Sequence, residues 1–280
     1  MSPQRASAIL LATFVLLGAG PASIAARQDH RFSVPSPAGL VLPAFTDREV
    51  AELVTALDAA LGSPQTSLSI DDADHTLWSF AKRLQAGRLT PSQESTVLAH
   101  LTDLARSHAR YRDPIERCSY MVRALTVGKT APETTGSDLD GAAFRLSDYR
   151  GKVVVLTFSA EWCGICRSQY PYYRLMQELY VNWPFAILGV ETATRESAIR
   201  LKTQHGLTYR SWWDGLKSET RPGPIASAWN VLGWPTTYVL DGEGVIRFVD
   251  LRDEDLLKGV RQLLVEQVSR ADVAPPPQRQ

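Results

Sequence analysis

At 280 residues, with a hydrophobic fraction of 44% and 21% charged residues, the chain has the make-up of a globular protein with ample core. Its thirty Lys and Arg balance thirty Asp and Glu, so no net field draws it to nucleic acid or to an anionic membrane. Three cysteines are too few for a disulfide framework in a chain of this length.

The chain opens with Arg5, the apolar run "ASAILLATFVLLGAG" (Ala6 to Gly20), Pro21 and the small residues "ASIAA". That order predicts a secretory signal peptide over residues 1–26, cleaved after Ala25 or Ala26. An uncleaved anchor is the other reading: a span needs about 20 apolar residues, which this run barely reaches when Pro21 is included. Residues 27–43 are polar and Pro-rich, as in a linker.

Residues 44–126 read as a small all-helical module whose role the sequence does not show. Thr46 or Asp47 caps a helix with Val50, Leu53, Val54, Leu57 and Leu61 on one face, ended by Gly62 and Pro64. Leu77, Phe80, Ala81 and Leu84 mark a second helix, closed by Gly87. Pro91 opens a third, carrying Val97, Leu98, Leu101, Leu104, Ala105 and His108 on one face, and Asp113-Pro114 opens a fourth with Ile115, Cys118, Val122 and Leu125. Cys118, on the apolar face, reads as a small buried hydrophobe, with a third redox thiol as the sharper alternative. His100 and His108, eight residues apart and too distant to chelate a metal on one helix, are expected at the surface or half-buried.

The pattern changes after residue 126. "VVVLTF" (Val153 to Phe158) is an apolar, β-branched run suited to a strand buried on both faces. A helix follows it. "FAILGVE" (Phe185 to Glu191) is a second such strand, followed by a helix from Thr194 to His205. "TTYVLDGEGVIRFVD" reads as a hairpin, and a last helix runs from Asp253 to Val268. Strand, helix, strand, helix, hairpin, helix predicts an α/β domain over residues 127–270, a central mixed sheet flanked by helices. Residues 271–280 read as a disordered tail.

Two of the cysteines fall together in "SAEWCGICRSQYP". Cys163 directly follows the first strand and sits where the next helix begins. Helix-start N–H groups favour a thiolate there. Cys166, one turn on, would be the less exposed partner. A zinc site needs four ligands, yet no second C-x-x-C and no H-x-x-x-H is present, so no metal is expected. A purely structural disulfide would close a loop too short to restrict much chain entropy. Redox exchange fits the setting best.

Taken together, "VGKTAPETTGSDLDGAAFRLSDYRGK", "VVVLTF", "SAEWCGICR" and "GWPTTYVLDGEGVIRFV" resemble the thioredoxin-like TlpA/ResA group of the redoxin (AhpC/TSA-related) superfamily over about Val127 to Val268. The resemblance implies a thioredoxin-like fold and a thiol:disulfide oxidoreductase in which Cys163 attacks a substrate disulfide and Cys166 resolves the mixed disulfide. It implies no cofactor beyond the Cys163–Cys166 disulfide itself. Trp162 matches the aromatic before the nucleophile, Pro171 a helix-kinking proline, and Pro235 a cis-proline facing the dithiol. Trp162, Trp234 and Pro235 are therefore expected to contact substrate, which in this fold adds as a strand.

The implied partners are protein disulfides or thiols and a membrane-bound electron donor, with no nucleic acid, in the periplasm or another extracytoplasmic space. Reduction of exported proteins is the expected direction. Two positions depart from the pattern: Thr157 stands where thioredoxins carry a buried Asp, and Gln169 where ResA-like members often carry Glu. Glu191, Glu161 or water would then have to accept the resolving proton. A partner-binding module with a slow or vestigial redox pair is the competing reading. A thiol peroxidase fits less well, since Ala160 occupies the Thr/Ser position of P-x-x-x-T/S-x-x-C.

Overall fold

The computed structural model describes residues 40–62, 68–215 and 223–273, and among these described residues nine α-helices and seven strands follow one another. The expected signal peptide, residues 27–39 of the linker and residues 274–280 of the tail lie outside the described residues. The four expected N-terminal helices are α1 (Asp47–Leu61), α2 (Ile70–Gln85), α3 (Pro91–Ser107) and α4 (Arg112–Ala124). Local chemistry sets their starts. Thr46 and Glu49 form a reciprocal capping box on α1, Thr90 and Gln93 another on α3, and Ser69 caps α2. Pro91 needs no partner for an N–H at the first position of α3.

A short antiparallel pair, β1 (Thr135–Ser137) and β2 (Ala143–Arg145), leads into β3 (Val153–Ala160), which is buried at every position. Next come α5 (Gly164–Ser168), α6 (Tyr170–Leu179), β4 (Phe185–Thr192), α7 (Arg195–Gln204), β5 (Arg210–Trp213) and α8 (Pro224–Ala228). The hairpin β6 (Thr236–Leu240) and β7 (Ile246–Val249) and the long α9 (Asp253–Val273) complete the chain.

The five-stranded sheet has the order β5-β4-β3-β6-β7. Strands β3, β4 and β5 run parallel, while β6 and β7 are antiparallel additions. This is the expected mixed sheet. Because side chains alternate across a strand, β3 divides its residues between two cores. Val153 and Val155 pack with Tyr170, Tyr173 and Met176 of α6 and with Leu256, Val260, Leu263 and Leu264 of α9. Val154, Leu156 and Phe158 belong to the other core. That core also holds Leu77, Phe80 and Leu84 of α2 and Cys118, Met121 and Val122 of α4. The N-terminal helices thus share one continuous core with the sheet.

Three features differ from the sequence reading. His108 is buried, its ring bonded to the Ser107 hydroxyl at 2.9 Å and to the Gly62 carbonyl at 3.2 Å. It closes the apolar face of α3 against the end of α1. Residues of "SWW", a stretch assigned to no element from the sequence, lie in the short edge strand β5, with Trp212 wholly buried against Phe144 and Trp213 half exposed. The last helix runs on to Val273.

Candidate functional site

Cys163 and Cys166 are joined as a disulfide at the C-terminal edge of β3. Strand β3 ends at Ala160, and Cys163 caps α5, its sulfur accepting the N–H of Cys166 at 3.0 Å. Cys163 is 8% exposed and Cys166 2%, so the first sulfur is the one a partner reaches. Both pack with Ala160 and with the partly buried Trp234.

The helix after the pair is broken rather than merely bent. Pro171 has no N–H to offer the Arg167 carbonyl four residues back, and the chain restarts as α6 at Tyr170. Gln169 lies at the break and is buried. Its amide donates to Asp253 Oδ1 at 2.9 Å, and its carbonyl accepts the Asp253 N–H at 2.9 Å. This two-point clasp ties the dithiol helix to the start of α9.

Opposite the pair, the Trp234–Pro235 bond is cis. Arg252 donates to the Pro235 carbonyl at 3.3 Å, and Thr236 donates to Gly233 O at 2.8 Å. Trp162 and Trp234 meet edge to face with ring centroids 5.8 Å apart. Trp162 is 41% exposed and Ile165 57%, which gives the site an apolar rim. The structure therefore gathers Trp162, Cys163, Cys166, Trp234 and Pro235 in one place.

The family model for the AhpC/TSA family matches residues 127–249. Over 125 residues the chain is 34% identical to the thiol-disulfide oxidoreductase ResA of Geobacillus kaustophilus, covering 44% of this chain and 68% of that protein. The chain belongs to this family of thioredoxin-like thiol-disulfide oxidoreductases. It is also 32% identical over 120 residues to the thioredoxin-like protein YneN of Bacillus subtilis, covering 43% of this chain and 68% of that one. Among solved structures, the thioredoxin domain of a thiol-disulfide oxidoreductase from Bacteroides vulgatus matches at 27% identity and a TM-score of 0.45, covering 50% of this chain and 99% of that one.

As a thiol-disulfide oxidoreductase the chain has an unusual set of groups behind the pair. Thr157 is buried, its hydroxyl 3.0 Å from that of Tyr173. Of the two carboxylates raised as proton acceptors, Glu161 accepts a hydrogen bond from the Ser197 hydroxyl at the start of α7. Glu191 is buried, accepts the Ser211 hydroxyl at 3.1 Å, and has Lys202 nearby. Burial pushes the Glu191 carboxyl above its ordinary range, against the opposing pull of Lys202 and Ser211. The same burial brings the Lys202 ammonium down to about 8, with Glu191 acting the other way. Among the described residues no group of three or more His, Cys, Asp or Glu could hold a metal ion, and no helix is long and apolar enough to cross a membrane.

Two contributors escaped the sequence reading. The first is Trp78 of α2, whose ring lies against Gly233, two residues before Pro235. No local signal points to it, since it requires α2 to fold onto the sheet. The second is Gly189, which makes room for the Glu191 carboxylate. Glycine inside a buried strand is the available clue, because it often marks a close approach.

Proposed function

We propose that the chain reduces disulfides of exported proteins in an extracytoplasmic space, with Cys163 as the attacking thiol and Cys166 as the resolving one. The observation that carries this reading is the difference between the two sulfurs. Cys163 is the more exposed and already receives the Cys166 N–H. A free thiol near pKa ~8.5 must fall about 1.5 units to be mostly ionised at neutral pH, which takes roughly 2 kcal/mol. One hydrogen bond to a charged acceptor contributes about 1.5–3 kcal/mol, so this single N–H is enough.

The Cys163 thiolate attacks one sulfur of the substrate disulfide, forming a mixed disulfide and releasing the other sulfur as a thiolate. Cys166 then loses its proton and attacks Cys163 Sγ, closing the Cys163–Cys166 bond and releasing the second substrate thiolate. Two electrons pass from the dithiol to the substrate, and both released thiolates take up protons. Trp162 and Trp234 offer an apolar rim for an extended polypeptide, and Pro235 borders it. A membrane-bound donor returns two electrons to the pair after each turnover.

The resemblance to the TlpA/ResA group supports the reductive direction, and the apolar run at Ala6 to Gly20 supports export. Equilibration of the pair with a glutathione buffer tests the direction. A potential more negative than about −200 mV fits a reductase, whereas one near −120 mV, as in a strong oxidant, contradicts it.

A further inference from the structure

The resolving step requires a proton to leave Cys166, a residue that is almost wholly buried. Most carboxylates around the site and its supports are engaged elsewhere. Glu161 is only partly buried and takes the Ser197 hydroxyl, while Asp253 takes the Gln169 amide, Asp250 the Lys82 ammonium and Asp138 the Arg210 guanidinium. Glu191 has a different setting.

In the parallel β3–β4 register Thr157 is level with Gly189, and Ser159 with Glu191. Alternation puts these four residues on the face covered by α6. A Cβ on Gly189 would lie 2.7 Å from Glu191 Oε1 and 2.4 Å from Ser211 Oγ. The Glu191 carboxylate therefore folds back along its own strand into the side-chain slot that Gly189 leaves empty, beside Thr157. Any other residue at 189 would evict it. We propose that Glu191, seated in that slot, is the proton acceptor for Cys166, reached through the Thr157 and Tyr173 hydroxyls and connected to solvent by Ser211 and Lys202.

The exit is a chain of two hydrogen bonds. Ser211 donates to Glu191 Oε1 at 3.1 Å and accepts from Lys202 Nζ at 2.7 Å. Lys202 and Ser211 also line a surface cleft of about 620 Å³, together with Asp138 and Arg210. Facing Glu191 are Tyr170 and Tyr173 from α6, Lys202 from α7, and Tyr209 and Ser211 from β5 and the residue before it. None of the three tyrosines competes for the proton at neutral pH, because burial raises each above its ordinary value.

The proposal rests on the assignment of Cys166 as the resolving thiol. In that step the Cys166 S–H proton moves to the Glu191 carboxylate, and the freed electron pair attacks Cys163 Sγ. The Cys163–substrate bond breaks, and the departing thiolate takes up a proton that Glu191 returns through Ser211 and the cleft. No further oxidant or reductant is needed.

Stopped-flow reaction of the reduced full chain with dithiobis(nitrobenzoate) separates the two steps, since attack and resolution each release one coloured thiolate. Resolution in the wild type should slow as pH falls through an apparent pKa above the ordinary carboxylate range, because only the ionised acid accepts a proton. Glu191→Gln should slow resolution about a hundredfold and abolish that acid limb while leaving the first release intact. Adding Thr157→Asp to Glu191→Gln places a carboxylate in the neighbouring slot and should restore both rate and limb. Lys202→Met should move the limb to higher pH, an outcome that does not depend on Glu191→Gln folding. Unchanged resolution in Glu191→Gln, or an acid limb that survives there, overturns the proposal while leaving the Cys163/Cys166 assignment standing. Absence of a second release in the wild type overturns both.

Discussion

Trp78 of α2 packs its ring against Gly233, where a Cβ would meet Trp78 Cη2 at 2.9 Å. The helical segment therefore supports the loop that carries Trp234 and Pro235. Gly233→Ala forces that ring to shift and should cost about 1–3 kcal/mol of stability. In a Trp78→Leu background the same change should cost much less, and a double-mutant cycle by chemical denaturation reads the difference. Equal costs in both backgrounds would remove this contact from the account.

A second link between the helices and the sheet is electrostatic. Lys82 Nζ lies 2.6 Å from Asp250 Oδ2, and Asp250 Oδ1 accepts the Thr237 N–H at 3.1 Å. Burial lowers the Lys82 pKa, with Asp250 holding it up. Asp250→Ala leaves a buried ammonium without its partner and should cost about 3 kcal/mol, whereas Lys82→Met leaves Asp250, which is more exposed and keeps the Thr237 N–H, and should cost less. Denaturation midpoints of the two variants should therefore differ clearly, with Asp250→Ala the lower.

Cys118 is 1% exposed in the core shared by α4 and the sheet. Burial raises its thiol pKa far above the ordinary value, and Asp74 adds to the shift. A raised pKa keeps the neutral thiol, the unreactive form, well past pH 8.5. Native alkylation of the reduced protein at that pH should label Cys163 and spare Cys118, while denaturant should expose all three cysteines. Labelling of Cys118 in the folded protein would revive the idea of a third redox thiol.

Much of this architecture was legible because its determinants are local. Capping residues such as Thr46 and Thr90, the unbroken apolar run of β3, and the Asp-Gly turn between β6 and β7 act within a few residues of where they stand. The dithiol was legible for the same reason, as a cysteine pair at a strand-to-helix junction. Strand β5 was not, since four residues with two tryptophans carry no usable period and owe their state to pairing with β4. The strands β1 and β2 are shorter still. Gln169 looked like a missing acid, and it proves to be a clasp on Asp253, a residue 84 positions away. The place of Glu191 depends on Thr157 standing level with Gly189, a register that only the folded sheet defines.

The most direct test of the exchange site is to trap its intermediate. Cys166→Ser removes the resolving thiol, so reaction of the reduced variant with a protein disulfide should accumulate a mixed disulfide that peptide mapping places on Cys163. Cys163→Ser should form none. An adduct on Cys166 in the Cys163→Ser variant at the rate of the wild-type first step, or no adduct on Cys163 in Cys166→Ser, would contradict the account.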